Sequence, residues 1–207
     1  MSDPTATPQD FGVGARITAA VMADDYAELI LGALHRTDPR TLEVATGDVS
    51  TWLGGDEAEL QRWVTDFTGE LAATGRHASV ALQLSRGCPG EVVCELPGGA
   101  GPRVVELTPE RTTGTWAAAE WALYPLADTG VAGVEPDHMR DIHAAIDLAR
   151  RNGTFVASEH YVTRLEGDLG AILATVFGGW LLVGRTVQHV VCHVTISLNS
   201  PSHGARS

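Results

Sequence analysis

Residues 44–56 read VATGDVSTWLGGD, and residues 156–168 read VASEHYVTRLEGD. The two segments agree at six positions when the chain is shifted on itself by 112 residues. The same shift superimposes further identical pairs on both sides of these segments: Ile30 on Ile142, His77 on His189, Ser85 on Ser197 and Pro89 on Pro201. One register that holds over so much of the chain indicates an internal repeat.

Each copy has the hydrophobic periodicity of strand, helix, strand, strand, helix and strand. In the first copy these elements are predicted at residues 16–22, 24–35, 41–46, 49–53, from Asp56, and 77–85. In the second copy they are predicted at residues 121–126, 137–151, 154–165 (two strands), from Asp168, and 188–199. This order is that of the ferredoxin-like unit. The sequence therefore predicts an α+β fold, a tandem repeat of two ferredoxin-like (β-α-β-β-α-β) units with antiparallel sheets.

The domain organisation follows from the repeat. We expect the first unit at residues 12–90 and the second at residues 115–202. A linker rich in Gly and Pro, residues 91–114, joins them and contains a short predicted strand near residues 104–107. The second copy carries about eight extra residues near 129–136, because the start of the first copy aligns better with a smaller shift.

Charge and composition exclude several classes of protein. The formal net charge is −12, with 14 Lys and Arg against 26 Asp and Glu. Nucleic-acid binding needs a basic surface, so a nucleic-acid partner is not expected. The polar start MSDPTATPQD has no signal-peptide pattern, and three cysteines form no disulfide framework. We expect a soluble, cytoplasmic protein.

A ferredoxin-like unit leaves one sheet face uncovered. Alternation in the last strand of each copy directs His77, Ser79, Gln83, Ser85, His189, His193, Thr195, Ser197 and Asn199 away from the helices. This pattern fits either a solvated or interface surface, or a shallow polar cleft for a small heterocycle. Open faces and edges that carry Tyr, Trp and Val also predict a homodimer, with sheets packed face to face or edge to edge.

Five segments resemble one known family: GDVSTWLGG (47–55), LSRGCPGE (84–91), WALYPL (121–126), DLARRNGTFVASEHYVTRLEGD (147–168) and SLNSPS (197–202). In content and order they are similar to the YkoF-type thiamin/hydroxymethylpyrimidine-binding proteins. The resemblance implies a homodimer that binds thiamin or its pyrimidine half, with one site in each repeat. It implies that thiamin or hydroxymethylpyrimidine is a ligand and not a cofactor. It also implies a non-catalytic role in precursor salvage or transport, with a membrane transporter as an indirect partner.

The resemblance also implies the ligand-binding residues. Thr51 and Thr163 are the principal ones by family position. The others lie beside them on the middle strands or on the first strand of each copy: Arg16, Ala19 (main chain), Asp48, Ser50, Leu123 (main chain), Tyr124, His160 and Tyr161. The family tends to have His where this chain has Asp48, so we expect two inequivalent sites.

Two other classes of function remain open. One is an ACT-like regulatory sensor of another small metabolite such as an amino acid, which needs a carboxylate anchor. The other is an enzyme that uses Cys88 or His160, but no base is evident beside Cys88. His189 and His193 resemble a metal-binding pair, yet residues four apart on a strand lie about 13 Å apart. We therefore expect no catalytic residues and no metal.

Overall fold

The computed structural model describes residues 7–87, 111–130 and 137–203, apart from the side chains of residues 127–130, 138 and 188. The first repeat consists of β1 (Gly14–Val21), α1 (Tyr26–Arg36), β2 (Glu43–Thr46), β3 (Thr51–Gly54), α2 (Glu57–Ala73) and β4 (Ala78–Arg86). The second consists of β5 (Trp116–Gly130), α3 (His138–Arg151), β6 (Phe155–Glu159), β7 (Val162–Asp168), α4 (Leu169–Gly184) and β8 (Val187–Leu198). The predicted order of elements is confirmed in both repeats.

Aspartate side chains cap three of the four α-helices in the described part of the chain. The carboxylates of Asp56, Asp137 and Asp168 accept hydrogen bonds from the backbone N–H groups of Glu59, Arg140 and Gly170. Such side-chain acceptors satisfy N–H groups that the first helical turn leaves unpaired. Asp25, which the sequence predicted as part of a cap, precedes α1 without a side-chain capping bond.

The strand β5 differs most from its prediction, since it begins at Trp116 rather than Trp121. The added stretch is mostly alanine, which has a low strand propensity. It is nevertheless a strand because it pairs with β7 on one side and β8 on the other. The predicted strand at residues 104–107, Cys88 and most of the extra residues near 129–136 lie outside the described residues.

The eight strands of the described residues form one antiparallel sheet in the order β2-β3-β1-β4-β8-β5-β7-β6. The two repeats join edge to edge through β4 and β8, where Leu82 lies opposite Val194. These two residues are 112 positions apart, which is the spacing of the repeat. A pseudo-twofold axis therefore passes between them and relates the two halves of the sheet.

The helices cover one face of this sheet and enclose the core. The side chains of β4 and β8 that the sequence directed towards the helices are all fully buried: Ala78, Val80, Leu82, Leu84, Val190, Cys192, Val194, Ile196 and Leu198. Asn199 is an exception to the predicted alternation. It follows β8, has φ 51°, and its side-chain amide donates to the carbonyl of Ala72 in the last turn of α2 and to that of Arg76, three residues beyond the helix. Within the described residues, no helix combines the length and apolar character needed to cross a membrane.

Candidate functional site

A gap in strand pairing occurs at the same place in each repeat. The last pair between β1 and β3 is Ile17 with Thr51, whereas β1 continues beside β4 as far as Val21. Likewise, the last pair between β5 and β7 is Trp121 with Thr163, whereas β5 continues beside β8. No described strand pairs with residues 18–21 or 122–126 on the other side. Because strand residues direct their N–H and C=O groups alternately to both sides, backbone donors and acceptors face each gap.

In the first repeat this gap opens into a cavity of about 630 Å³. The edge of β1, the helix α1 and the β2–β3 hairpin surround it. Its lining is largely apolar on the helix side and includes Ile17, Ala19, Val21, Tyr26, Ile30, Leu34 and Phe67. Its volume lies in the range of pockets that enclose small organic molecules.

Two of the hydroxyl groups that line this cavity lie in contact with each other. Thr51 is only 5% exposed, and its Oγ1 lies 3.1 Å from Oγ1 of Thr46, the residue opposite it on β2. A hydroxyl has one hydrogen and two lone pairs, so this contact leaves further capacity for a ligand. Sequence reasoning identified Thr51 and missed Thr46, although the hairpin register would have placed them together.

The residues predicted for the first site do not share one face of the sheet. Thr51 lies opposite Ile17 and faces the helices, whereas Arg16 lies opposite Trp52 on the other face, which no described helix covers and which we call the uncovered face. Arg16 lines a separate cavity of about 460 Å³ on that face. Asp48 and Ser50, in the hairpin turn, contribute to both cavities. The polar cleft expected on the open face therefore does not include Thr51, because cross-strand partners share a face and the register of β1 with β3 places Thr51 opposite the buried Ile17.

In the second repeat, Thr163 is 9% exposed and lies opposite the buried Trp121. It therefore faces the helices, as Thr51 does. Tyr124 is half exposed on the other face. His160 and Tyr161 form the tip of the β6–β7 hairpin, with ring centroids 6.4 Å apart.

The tip of this second hairpin is also unusual in its backbone. Tyr161 is 94% exposed and adopts a left-handed conformation with φ 71°. Left-handed backbone is uncommon for a residue other than glycine, and residues that adopt it cluster at functional sites. The equivalent residue of the first hairpin, Val49, is exposed but is not left-handed.

The uncovered face of the second repeat carries a third cavity, of about 420 Å³. Its charged lining consists of Glu120, Glu159, Glu166 and Arg164, and Arg164 forms ion pairs with Glu159 and Glu166. The hydrogen bond with Glu166 raises the pKa of Arg164. Glu120 occupies the position that Arg16 has in the first repeat, so the two open faces have opposite charges at equivalent places.

The described residues contain no group of three or more His, Cys, Asp or Glu side chains arranged to hold a metal ion. The one cysteine among them, Cys192, is fully buried and accepts a hydrogen bond from the Trp121 indole N–H at 3.1 Å. Burial raises the pKa of its thiol to about 12, although the bond from Trp121 acts in the opposite direction. At neutral pH this thiol is therefore protonated and is not a nucleophile.

Comparison with known proteins also divides the chain into two repeats. The family model described as "YKOF-related Family" matches residues 12–91 and 116–203, one segment in each repeat. The chain is also 29% identical over 193 residues to the "Putative HMP/thiamine-binding protein YkoF" of Bacillus subtilis (strain 168), and the match covers 93% of each chain. Since the family model spans most of its length, this chain belongs to the YkoF-related family.

Proposed function

We propose that this protein binds thiamin or its hydroxymethylpyrimidine half, one molecule in each repeat, and catalyses no reaction. The observation that carries the proposal is the free edge of β1 beside the Thr46–Thr51 hydroxyl pair, inside a largely apolar cavity. The name of the Bacillus subtilis relative supports a ligand of this class. We retain residues 12–90 and 115–202 as the proposed units.

The chemistry of the cavity suits an aminopyrimidine. Its ring has two nitrogen acceptors and one exocyclic amino donor along its edge. The free edge of β1, including the main chain of Ala19, offers N–H and C=O groups at fixed spacing, and the hydroxyl of Thr51 can donate or accept. Apolar side chains such as Ile17 and Ile30 suit the flat faces of the ring, which have no hydrogen-bonding groups.

The thiazolium half of thiamin adds a positive charge. In the first site Asp48 supplies a carboxylate at the hairpin turn. In the second site we assign this end of the ligand to Tyr161, whose aromatic face attracts a cation, with His160 beside it at the hairpin tip. The proposed second site is completed by Thr163, by the main chain of Leu123 and by the side chain of Tyr124. The two sites are therefore expected to distinguish charged from neutral ligands differently.

An amino-acid sensor of the ACT type is the second candidate, and one observation favours it. Tyr26 and Ala27, the first residues of α1, line the cavity, and a helix N-terminus attracts a carboxylate. However, the described lining residues include no Lys, Arg or His, and they do include Asp48. A ligand with a carboxylate would therefore meet one acidic side chain and no basic one, which is why thiamin is preferred.

Calorimetry with thiamin, hydroxymethylpyrimidine and a panel of amino acids tests the proposal. Thr51→Val and Thr163→Val should each weaken both ligands at the altered repeat by about 0.5–1.5 kcal/mol, the value of one neutral hydrogen bond. The exposed Thr112→Val is the matched control and should bind as the parent does. Binding of an amino acid without thiamin would favour the sensor, and no binding of thiamin or hydroxymethylpyrimidine by the parent would refute the proposed function.

The proposal extends to assembly and cellular role. We expect a cytoplasmic homodimer that supports precursor salvage or transport, with any membrane transporter acting as an indirect partner. The opposite charges of the open faces, Arg16 against Glu120, Glu159 and Glu166, favour contact between the first repeat of one copy and the second repeat of another. Light scattering should give twice the mass of one chain at micromolar concentration and low salt, and a monomer there would contradict the dimer.

A further inference from the structure

The two hairpins that border the candidate sites differ in how they are held. In the first repeat two side chains of β1 reach across the gap to the β2–β3 turn. The hydroxyl of Thr18 donates to the carbonyl of Val49 at 3.0 Å, and Nη1 of Arg16 donates to the hydroxyl of Ser50 at 3.1 Å. We call these two hydrogen bonds the latch.

The second repeat lacks the groups that form the latch. Strand pairing places Ala122 and Glu120 of β5 where β1 has Thr18 and Arg16. The repeat spacing places Val162 where the first hairpin has Ser50. Alanine has no hydroxyl to donate, and a carboxylate opposite a valine side chain has no partner there. The equivalent bonds therefore cannot form in the second hairpin.

The latch holds one wall of the 630 Å³ cavity of the first repeat, because residues 46–51 form that wall. Arg16 is not among the residues that line this cavity; it lies on the other side of the hairpin. Arg16 therefore acts on the cavity through the hairpin. Thr18 lines the cavity itself, but its hydroxyl proton is committed to the Val49 carbonyl and is used to hold the hairpin.

We propose that Thr18 and Arg16 are positioning residues that hold the first hairpin against β1, so that ligand leaves the first site more slowly than the second. The part that concerns the ligand rests on the proposed function. The part that concerns the hairpin does not, because it describes the motion of the free protein.

Hydrogen exchange of the ligand-free protein tests the latch itself. The backbone N–H of Gly47, which donates to the Ser50 carbonyl at 3.0 Å, reports opening of the first hairpin. Thr18→Val should accelerate its exchange by about 3- to 10-fold, the effect of one lost hydrogen bond, whereas Thr18→Ser keeps the hydroxyl and should restore the parent rate. Thr195→Val, the same change on the open face of β8, is the control. Unchanged exchange in Thr18→Val would overturn the latch whether or not the protein binds thiamin.

Stopped-flow dissociation of thiamin tests the consequence for binding. Two sites should give two kinetic phases of dissociation. Thr163→Val alters the second site only, so the phase that changes in this variant belongs to the second site. Thr18→Val should accelerate only the phase of the first site, by about 3- to 10-fold, and Arg16→Met combined with it should accelerate that phase further. Thr18→Ser should restore it. Equal acceleration of both phases, or of neither, would show that the latch does not control ligand exchange. If the parent binds no thiamin, the proposed function fails and hydrogen exchange alone decides the latch.

Discussion

Glu57 and Arg86 form a buried ion pair in the first repeat, at positions that Leu169 and Leu198 occupy in the second. The Arg86 side chain is 1% exposed, and its stem packs beside Gly184 at the end of α4. One fold thus accepts either two charges or two leucines at the same place. Two buried charges cost desolvation, which their mutual pairing helps to offset, whereas two leucines need no such balance.

The titration of this pair shows the same cost. Burial raises the pKa of Glu57, although Arg86 lowers it, and burial lowers the pKa of Arg86, although Glu57 raises it. A carboxyl whose pKa is raised in the folded state binds more protons there than in the unfolded chain. Its contribution to stability is therefore greatest below its unfolded pKa and declines as the pH rises through its folded pKa.

The largest expected effect comes from breaking this ion pair. Arg86→Met should destabilise the protein by about 3–5 kcal/mol, because Glu57 remains buried without its partner. Glu57→Leu combined with Arg86→Met should recover most of that loss, since it imitates the second repeat. Urea unfolding measures both variants. Arg150→Met, which removes an ion pair with the exposed Asp147, is the control and should cost about 0–1 kcal/mol. A double variant as unstable as the single one would contradict the comparison.

Removal of the helix caps has the next largest effect and again differs between repeats. Asp168 accepts hydrogen bonds from the N–H groups of Thr113, Gly114 and Gly170, whereas Asp56 caps α2 through Glu59. Asp168→Ala should therefore cost about 2 kcal/mol and Asp56→Ala about 1 kcal/mol. Equal losses in denaturant unfolding would show that the additional bonds to residues 113 and 114 contribute nothing.

Asp168 also gives a pH dependence. Desolvation raises its pKa, but the hydrogen bonds from Thr113, Gly114 and Gly170 outweigh this and the pKa falls below its ordinary value. Its contribution to stability is thus present at neutral pH and is lost as the pH falls through the folded pKa. Asp168→Asn should reduce the acid-side loss of stability expected of the parent, measured by unfolding at a series of pH values. The same loss in both proteins would exclude this carboxyl as a cause.

A smaller effect is expected at the ligand end of the hairpins, where the first repeat has Asp48 and the second has His160. Asp48→Asn should weaken thiamin at the first site by up to about 1 kcal/mol, because an exposed charge pair is lost, and should leave neutral hydroxymethylpyrimidine unchanged. His160→Asn should not produce this selective loss of thiamin. Calorimetry with both ligands measures the difference. Equal weakening of the two ligands by Asp48→Asn would refute the role of the charge.

The smallest effect concerns the hairpin tips. Tyr161→Gly should stabilise the protein by about 0.5 kcal/mol, because relief of the left-handed conformation slightly exceeds the added entropy of the unfolded chain. Val49→Gly should destabilise it by about 0.5–1 kcal/mol, since no such strain is relieved there. The midpoint of denaturant unfolding measures the stability change of each variant, when the slope of unfolding free energy against denaturant stays the same. A change of the same sign in the two variants would mean that the turns do not differ in strain.

Much of the fold is readable from local patterns. The repeat is visible directly as identity between two segments of the sequence. The capping aspartates before α2 and α4 and the alternation of β4 and β8 depend on residues close together in sequence, and the structure agrees with them, except that Asn199, just past β8, turns towards α2. The start of β5 is not readable in this way, because its alanines favour a strand only when two neighbours pair with them. Nor is the placement of Arg16 and Thr51 in different cavities, which depends on the register of β1 with β3.

The sequence by itself determined that this chain is duplicated, which elements each copy contains and which threonines occupy equivalent places. Only the tertiary structure decided that the two sheets join through β4 and β8, that Thr51 and Thr163 face the helices, and that β1 and β5 extend past their neighbours to leave a free edge. The physical reason is the range of the interactions. Periodicity and capping act between residues a few positions apart, whereas sheet register and cavity walls depend on contacts between segments distant in the chain.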